Sequence, residues 1–291
     1  MKTFEAVVDE AEHHLINAHL YYGHGMSSAY DEAVYAAVHC LGLHIEDEID
    51  WDAGYSVSAY AKLNELIRKR CETHQPMAYL THEAYLHGFK FYVDERVIVP
   101  RSFIGELILE EFSPWIDVDK VTDVLELCTG SGCLAIMAAE VFQLAHVDAI
   151  DIDEDALAVA GINVAQYELQ ERISLIQSDL YHAVPADKKY DIVFTNPPYV
   201  NSDSMSKLPK EYLAEPHISL AGGADGMDLV RTIVAQAAQH LKPHGILVVE
   251  IGNEFKYAEA AFKKLPLTWL ETSGAENAVF LLTAKDLLKY A

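Results

Sequence analysis

Four consecutive residues, Asn196-Pro197-Pro198-Tyr199, carry the most specific chemistry in this chain. The two prolines have no amide hydrogen, and each drives its predecessor out of the helical region. The segment is therefore a rigid, extended turn, rich in carbonyls and poor in competing donors. In such a turn the side-chain oxygen of Asn196 and the main-chain oxygen of Pro197 can accept the two hydrogens of a planar NH2 group, with Tyr199 as a flat wall along its plane. Methylation of an amide or amino nitrogen demands this geometry, because the lone pair is delocalised and has to be aimed at the incoming carbon. No strong general base is required. Proximity and orientation supply most of the acceleration, up to roughly 7 to 11 kcal/mol in the best intramolecular models.

A second candidate lies upstream. Glu126-Leu127-Cys128-Thr129-Gly130-Ser131-Gly132 follows the strand-like VTDVLEL and opens the apolar run CLAIMAAEVF. Glycines there turn the backbone sharply, and free amides at a helix start face a ligand. A nucleotide-like cofactor is implied. Gly130-x-Gly132-x-x-Ala135 also satisfies the dinucleotide fingerprint, so the turn alone fits NAD as well as S-adenosylmethionine. Asp151 ends the next strand, where its carboxylate can accept from both ribose hydroxyls, whereas Asp153, Glu154 and Asp155 sit where a helix begins and read as capping acids. Asp179, after the strand ISLIQ, can accept from an adenine amino group, with Leu180 over the ring.

These residues need a scaffold that brings strand ends together. From Val121 onward short β-branched runs alternate with helical runs, which argues an α/β fold with a parallel sheet. The closing runs LTWLE and AVFLLTAK follow the helix NEFKYAEAAFKK and read as an antiparallel edge. Before residue 100 the pattern differs: apolar residues recur at three and four spacing over residues 4–20, 29–41 and 58–73, the mark of amphipathic helices. Between the two regions Phe89, Phe91 and Val93 alternate ahead of Asp94-Glu95 and Val97-Ile98-Val99, which predicts a hairpin turning at Asp94-Glu95. The stretch from Asn196 to about Asp225 is long for a connection and predicts a functional loop.

With these motifs together, the chain resembles the class I S-adenosylmethionine-dependent methyltransferases, specifically the protein N5-glutamine methyltransferases of the release-factor and ribosomal-protein type. The resemblance runs over nearly the whole chain, including Val97-Ile98-Val99-Pro100-Arg101 and Glu250-Ile251-Gly252. Release-factor enzymes usually read PRPETE after the hairpin and DLGTGTG at the cofactor turn. Here Pro100-Arg101-Ser102-Phe103 and Cys128-Thr129-Gly130-Ser131-Gly132-Cys133 are similar to the branch acting on the third protein of the large (50S) ribosomal subunit. The resemblance implies a Rossmann-like, mostly parallel seven-stranded sheet, a helical substrate-recognition domain over residues 1–78, a linker over 79–101 and a methyltransferase domain over 102–291. It implies that Cys128, Thr129, Gly130, Ser131 and Gly132 wrap the methionine part of S-adenosylmethionine. Asp151 would take the ribose, Leu180 would lie near the adenine, and Asn196, Pro197, Pro198 and Tyr199 would hold the target glutamine, with Asn196 also touching the cofactor. Glu126 stands where this branch commonly has Asp and is expected near the cofactor's amino group. Glu215, in LAEPHISLAGGADGMD, matches a segment expected near substrate.

Composition narrows the alternatives, which are glutamine methylation of release factors and methylation of nucleic-acid amines. The chain has 291 residues, 51% of them apolar, enough for a sizeable core, and a net charge of −24. A field of that sign repels phosphate backbones and favours a basic protein partner. Among the first hundred residues, sixteen acids stand against seven bases, with an acidic run over residues 46–52. Four cysteines without a CxxC pair suit a reducing cytoplasm. Acids interrupt the N-terminal run before a signal-peptide core can form, and no stretch is long and apolar enough for a membrane. The fourteen histidines form no zincin-type pair, so no metal is expected.

Overall fold

A computed structural model describes residues 2–290. They divide into two compact units: 2–95 with 99–101 and 208–215, and 96–98 with 102–207 and 216–290.

In the first unit the helices are α1 (Phe4–Asn17), α2 (Ala29–Leu41), α3 (Val57–Thr73) and the short α4 (Met77–Thr81). Each of the first three starts on a hydroxyl cap, with Thr3, Ser28 and Ser56 accepting from the amides of Ala6, Asp31 and Ala59. Their apolar faces meet in one core containing Val8, Leu15, Ala36 and Leu63. The run over residues 4–20 overshoots the observed helix, because the chain leaves helical geometry after Ala18, with His19 at φ 51°. A two-stranded antiparallel ribbon follows, β1 (Ala84–Leu86) against β2 (Phe89–Phe91). The expected connecting hairpin is present within residues 79–101, but its strands and turn lie earlier than the alternation suggests. The turn is His87-Gly88, with φ of 49° and 83°, the positive pair that a two-residue hairpin loop requires. Val97-Ile98-Val99 forms no strand.

Residues 208–215 pack on this unit through buried charge. Arg70, 1% exposed, donates from Nε to Glu32 (2.6 Å) and from its terminal nitrogens to the carbonyls of Tyr21 and His74, both at 3.1 Å. Glu211 accepts from the Tyr21 amide at 3.0 Å and lies 3.5 Å from Arg70.

The second unit begins with α5 (Ile104–Leu109) and is then built on a sheet. Its elements are β3 (Asp123–Leu127), α6 (Cys133–Val141), β4 (His146–Asp151), α7 (Glu154–Gln166), β5 (Ile173–Gln177), β6 (Tyr190–Thr195), α8 (Ser202–Met205), α9 (Asp228–Ala237), β7 (Leu241–Glu250), α10 (Phe255–Ala261), β8 (Thr268–Leu270), β9 (Val279–Thr283) and α11 (Ala284–Tyr290). The sheet has seven strands in the order β5-β4-β3-β6-β7-β9-β8. The first five are parallel, and β9 runs antiparallel to both β7 and β8, the edge that the last two apolar runs led us to expect. Central strands such as β6 are buried along their full length, the near-continuous apolar pattern of a parallel sheet covered on both faces.

The connections reverse direction between β3 and β6, and open α/β sheets bind ligands outside the carboxyl ends at that point. Register makes this concrete. Leu127 lies opposite both Ile150 and Thr195, so Cys128, Asp151 and Asn196 leave their strands at one level.

Candidate active site

The glycine turn is shaped by backbone that few side chains tolerate. Cys128, Gly130 and Gly132 have φ of 60°, 54° and 77°. A Cβ on Gly132 would come 3.1 Å from the Cβ of Ala160 on α7, so glycine there lets α6 and α7 approach. A Cβ on Gly130 would meet nothing within 4 Å, which leaves that face of the turn open. Asp151 braces the turn from the next strand. Its Oδ2 accepts from the Gly130 amide at 2.8 Å and its Oδ1 from the Asp153 amide at 3.1 Å. Burial raises the Asp151 carboxyl above its ordinary range, with these two amides opposing the rise.

A cavity of about 190 Å³ opens at this edge. At roughly 10 to 15 Å³ per water it takes a ligand and not a single solvent molecule. Cys128, Gly130, Asp151, Asp179, Leu180, Asn196 and Pro198 all line it, together with Ile98, Ile152, Ile218 and Leu229. The sequence motifs separated by up to seventy residues thus share one wall.

The matching family model is the methyltransferase small domain, over residues 106–223. Curated relatives cover far more. The chain is 50% identical to the ribosomal protein uL3 glutamine methyltransferase of Burkholderia pseudomallei, over 98% of this chain and 96% of that one. It is 49% identical to that of Neisseria gonorrhoeae over 93% and 91%, and 48% identical to that of Bordetella pertussis over 99% and 97%. The chain belongs to this family of glutamine methyltransferases. Among solved structures the hMettl16 catalytic domain in complex with MAT2A 3′UTR hairpin 1 is similar over 86% of this chain and 90% of that one, with 14% identity and a TM-score of 0.54. A methyltransferase from Pyrococcus furiosus aligns over 68% and 90%, with 16% identity and a TM-score of 0.50. At those identities the likeness is one of fold.

In the methyltransferase, Pro197, Tyr199, Thr129, Ser131 and Gly132 are not among the residues lining the cavity. Thr129 and Ser131 are buried in the turn itself, Thr129 donating its hydroxyl to Glu126 at 2.5 Å and the Ser131 carbonyl accepting from Asn163 at 2.8 Å. Glu126 lies behind the turn, 2% exposed, and burial pushes its carboxyl up to about 8. Tyr199 is half-buried, its main chain packed against two glycines: a Cβ on Gly222 would come 2.6 Å from its Cα, and one on Gly226 would come 2.1 Å from its carbonyl oxygen.

Glu215 lies in the first unit and not at the cavity. Its side chain is fully buried, its oxygens engaged by both terminal nitrogens of Arg101 (2.5 and 2.7 Å) and the Val99 amide (3.0 Å). His24 is 3.6 Å away. Burial alone would raise this carboxyl, but Arg101 and His24 hold it down at about 2.

Beyond Leu180, the aliphatic lining residues Ile152, Ile218 and Leu229 lie outside the sequence motifs. Ile152 carries a usable signal, since a β-branched residue directly after the last strand position and before a capping Asp is placed to face a ligand; it is 52% exposed. Ile218, 53% exposed in a single 3-10 turn, has no such signal.

Proposed function

We propose that the methyltransferase transfers a methyl group from S-adenosylmethionine to the side-chain amide nitrogen of a glutamine in ribosomal protein uL3. The observation that carries this reading is that Asn196 and Pro198 open onto the same cavity as Gly130 and Asp151, so an amide held at the turn meets a cofactor held at the glycines.

The residues present fit that cofactor better than a dinucleotide. Among the described residues no Lys or Arg lines the cavity, while two carboxylates, Asp151 and Asp179, do, which suits a cationic ligand and disfavours a pyrophosphate. Asp151 keeps lone pairs on both oxygens beyond those used by Gly130 and Asp153, and these suit the two ribose hydroxyls. Leu180, Ile152 and Leu229 supply apolar surface for a planar base, and the open face of Gly130 admits the methionine part. Glu126 acts through Thr129 and the turn backbone, not by direct reach.

When bound, S-adenosylmethionine supplies a methyl carbon on a positively charged sulfur. Asn196 accepts one amide hydrogen at its side-chain oxygen and Pro197 the other at its carbonyl, which fixes the amide plane. Tyr199 limits rotation out of that plane. Neutral acceptors suffice because the amide nitrogen needs aim more than deprotonation. The helical unit, residues 1–78, is assigned to recognition of the basic substrate, in keeping with its excess of acids. The four free cysteines suit action in the cytoplasm. A glutamine buried in a finished subunit cannot enter the turn, so the enzyme acts before assembly.

The test is transfer of labelled methyl to free uL3, to intact large subunits and to release factors in parallel. Label on free uL3 alone is expected. Label on release factors in place of uL3 would reassign the substrate, and equal labelling of intact subunits would remove the requirement for unassembled protein.

A further inference from the structure

Three motifs that are distant in sequence converge on one carboxylate. Register pairs Thr195 of β6 with Val249 of β7, so Glu250 leaves its strand level with Asn196. Glu250 is 2% exposed, and no role falls to it in the transfer described above. Its Oε2 accepts from the Ser102 hydroxyl at 2.6 Å and from the Phe103 amide at 3.0 Å. Its Oε1 takes the Tyr199 hydroxyl at 3.4 Å, the long end for such a bond. Two residues further on, Gly252 closes the other side: with φ of 50°, a Cβ there would lie 2.5 Å from the Tyr199 ring. The ring is therefore held at its hydroxyl by Glu250 and along its edge by Gly252 backbone.

We propose that Glu250 is a positioning residue for methyl transfer, which fixes the plane of Tyr199 and is itself fixed by Ser102 and Phe103. This rests on the reading of the Asn-Pro-Pro-Tyr turn as the glutamine-holding element. A carboxylate is required because it offers acceptors on both sides. Glutamine has one oxygen and cannot accept from Ser102 and Phe103 while also accepting from Tyr199. Glu250 and Ser102 are both buried, so the Ser102 hydroxyl would find little water if its acceptor were lost.

The experiment is a double-mutant cycle on the full chain, Glu250→Gln, Tyr199→Phe and both, with uL3 as methyl acceptor. Active sites are counted by S-adenosylhomocysteine binding, and thermal unfolding is followed for each variant. Tyr199→Phe keeps the ring and loses only the hydroxyl. Each single variant is expected to lower kcat about tenfold with cofactor affinity unchanged, and the double variant to be no slower than the slower single one. A hundredfold loss in the double variant would mean independent roles and overturn the proposal. Unchanged kcat per counted site in Tyr199→Phe, or loss confined to unfolding temperature, would overturn it as well and leave a structural role. A wild type unable to methylate uL3 would overturn the functional reading and this assignment with it; an active wild type with unaffected variants overturns this assignment alone.

Discussion

The side chain of Asp151 accepts a hydrogen bond from the backbone amide of Gly130 at 2.8 Å, which ties the end of β4 to the turn after β3. One carboxylate therefore shapes the glycine turn and lines the cavity. Asp151→Asn keeps an acceptor for Gly130, but its amide nitrogen cannot accept from Asp153. With a charged hydrogen bond worth about 1.5 to 3 kcal/mol, S-adenosylmethionine affinity should fall roughly ten- to a hundredfold by calorimetry. Unchanged affinity would remove Asp151 from the cofactor site.

Glu126 gives the methyltransferase a stability that depends on its proton. Burial raises its carboxyl from an ordinary value of 4.5 to about 8. The folded state retains a proton that the unfolded chain releases, so this contribution is complete below pH 4.5 and is lost as pH rises toward 8, at about 1.4 kcal/mol per unit. Urea denaturation without cofactor should show wild type weakening relative to Glu126→Gln over that window. Parallel pH profiles would show that Glu126 is ionised in the fold.

Glu215 makes the opposite contribution. Its carboxyl is depressed to about 2, so the stability it adds is present above the ordinary value of 4.5 and is lost as pH falls toward 2. Arg101→Ala leaves the fully buried Glu215 carboxylate without its guanidinium and should destabilise by about 3 to 5 kcal/mol. Far-ultraviolet circular dichroism in urea would measure both effects, and a loss under about 1 kcal/mol would mean that water reaches the pair.

Gly252→Ala should act on rate before affinity. The added methyl would lie 2.5 Å from the Tyr199 ring at a backbone φ of 50° that alanine tolerates poorly. kcat should fall tenfold or more with cofactor binding retained. Retained kcat would show that the ring yields without consequence.

The parts of the site legible in sequence are those written in a single local string. The glycine turn and the Asn-Pro-Pro-Tyr turn each follow a β-branched run, and the strand register then brings them together. The hairpin is legible but its turn is not, because strands of three residues give too little alternation to outweigh the acidic pair Asp94-Glu95, and a lone Gly88 marks the turn. Glu215 could not be placed because its partner Arg101 is 114 residues away, and ion pairs of that separation leave no periodicity. Glu250 was visible as part of a motif, but its reach to Ser102 and Tyr199 depends on the level at which β7 ends.

The most direct test of the central claim is single-turnover methyl transfer to free uL3 by wild type and Asn196→Ala, with cofactor affinity measured alongside. Losing one of the two acceptors that orient the amide should slow transfer at least a hundredfold while S-adenosylmethionine binds within a few-fold of wild type. Transfer at the wild-type rate by Asn196→Ala would contradict the assignment of this turn to the glutamine.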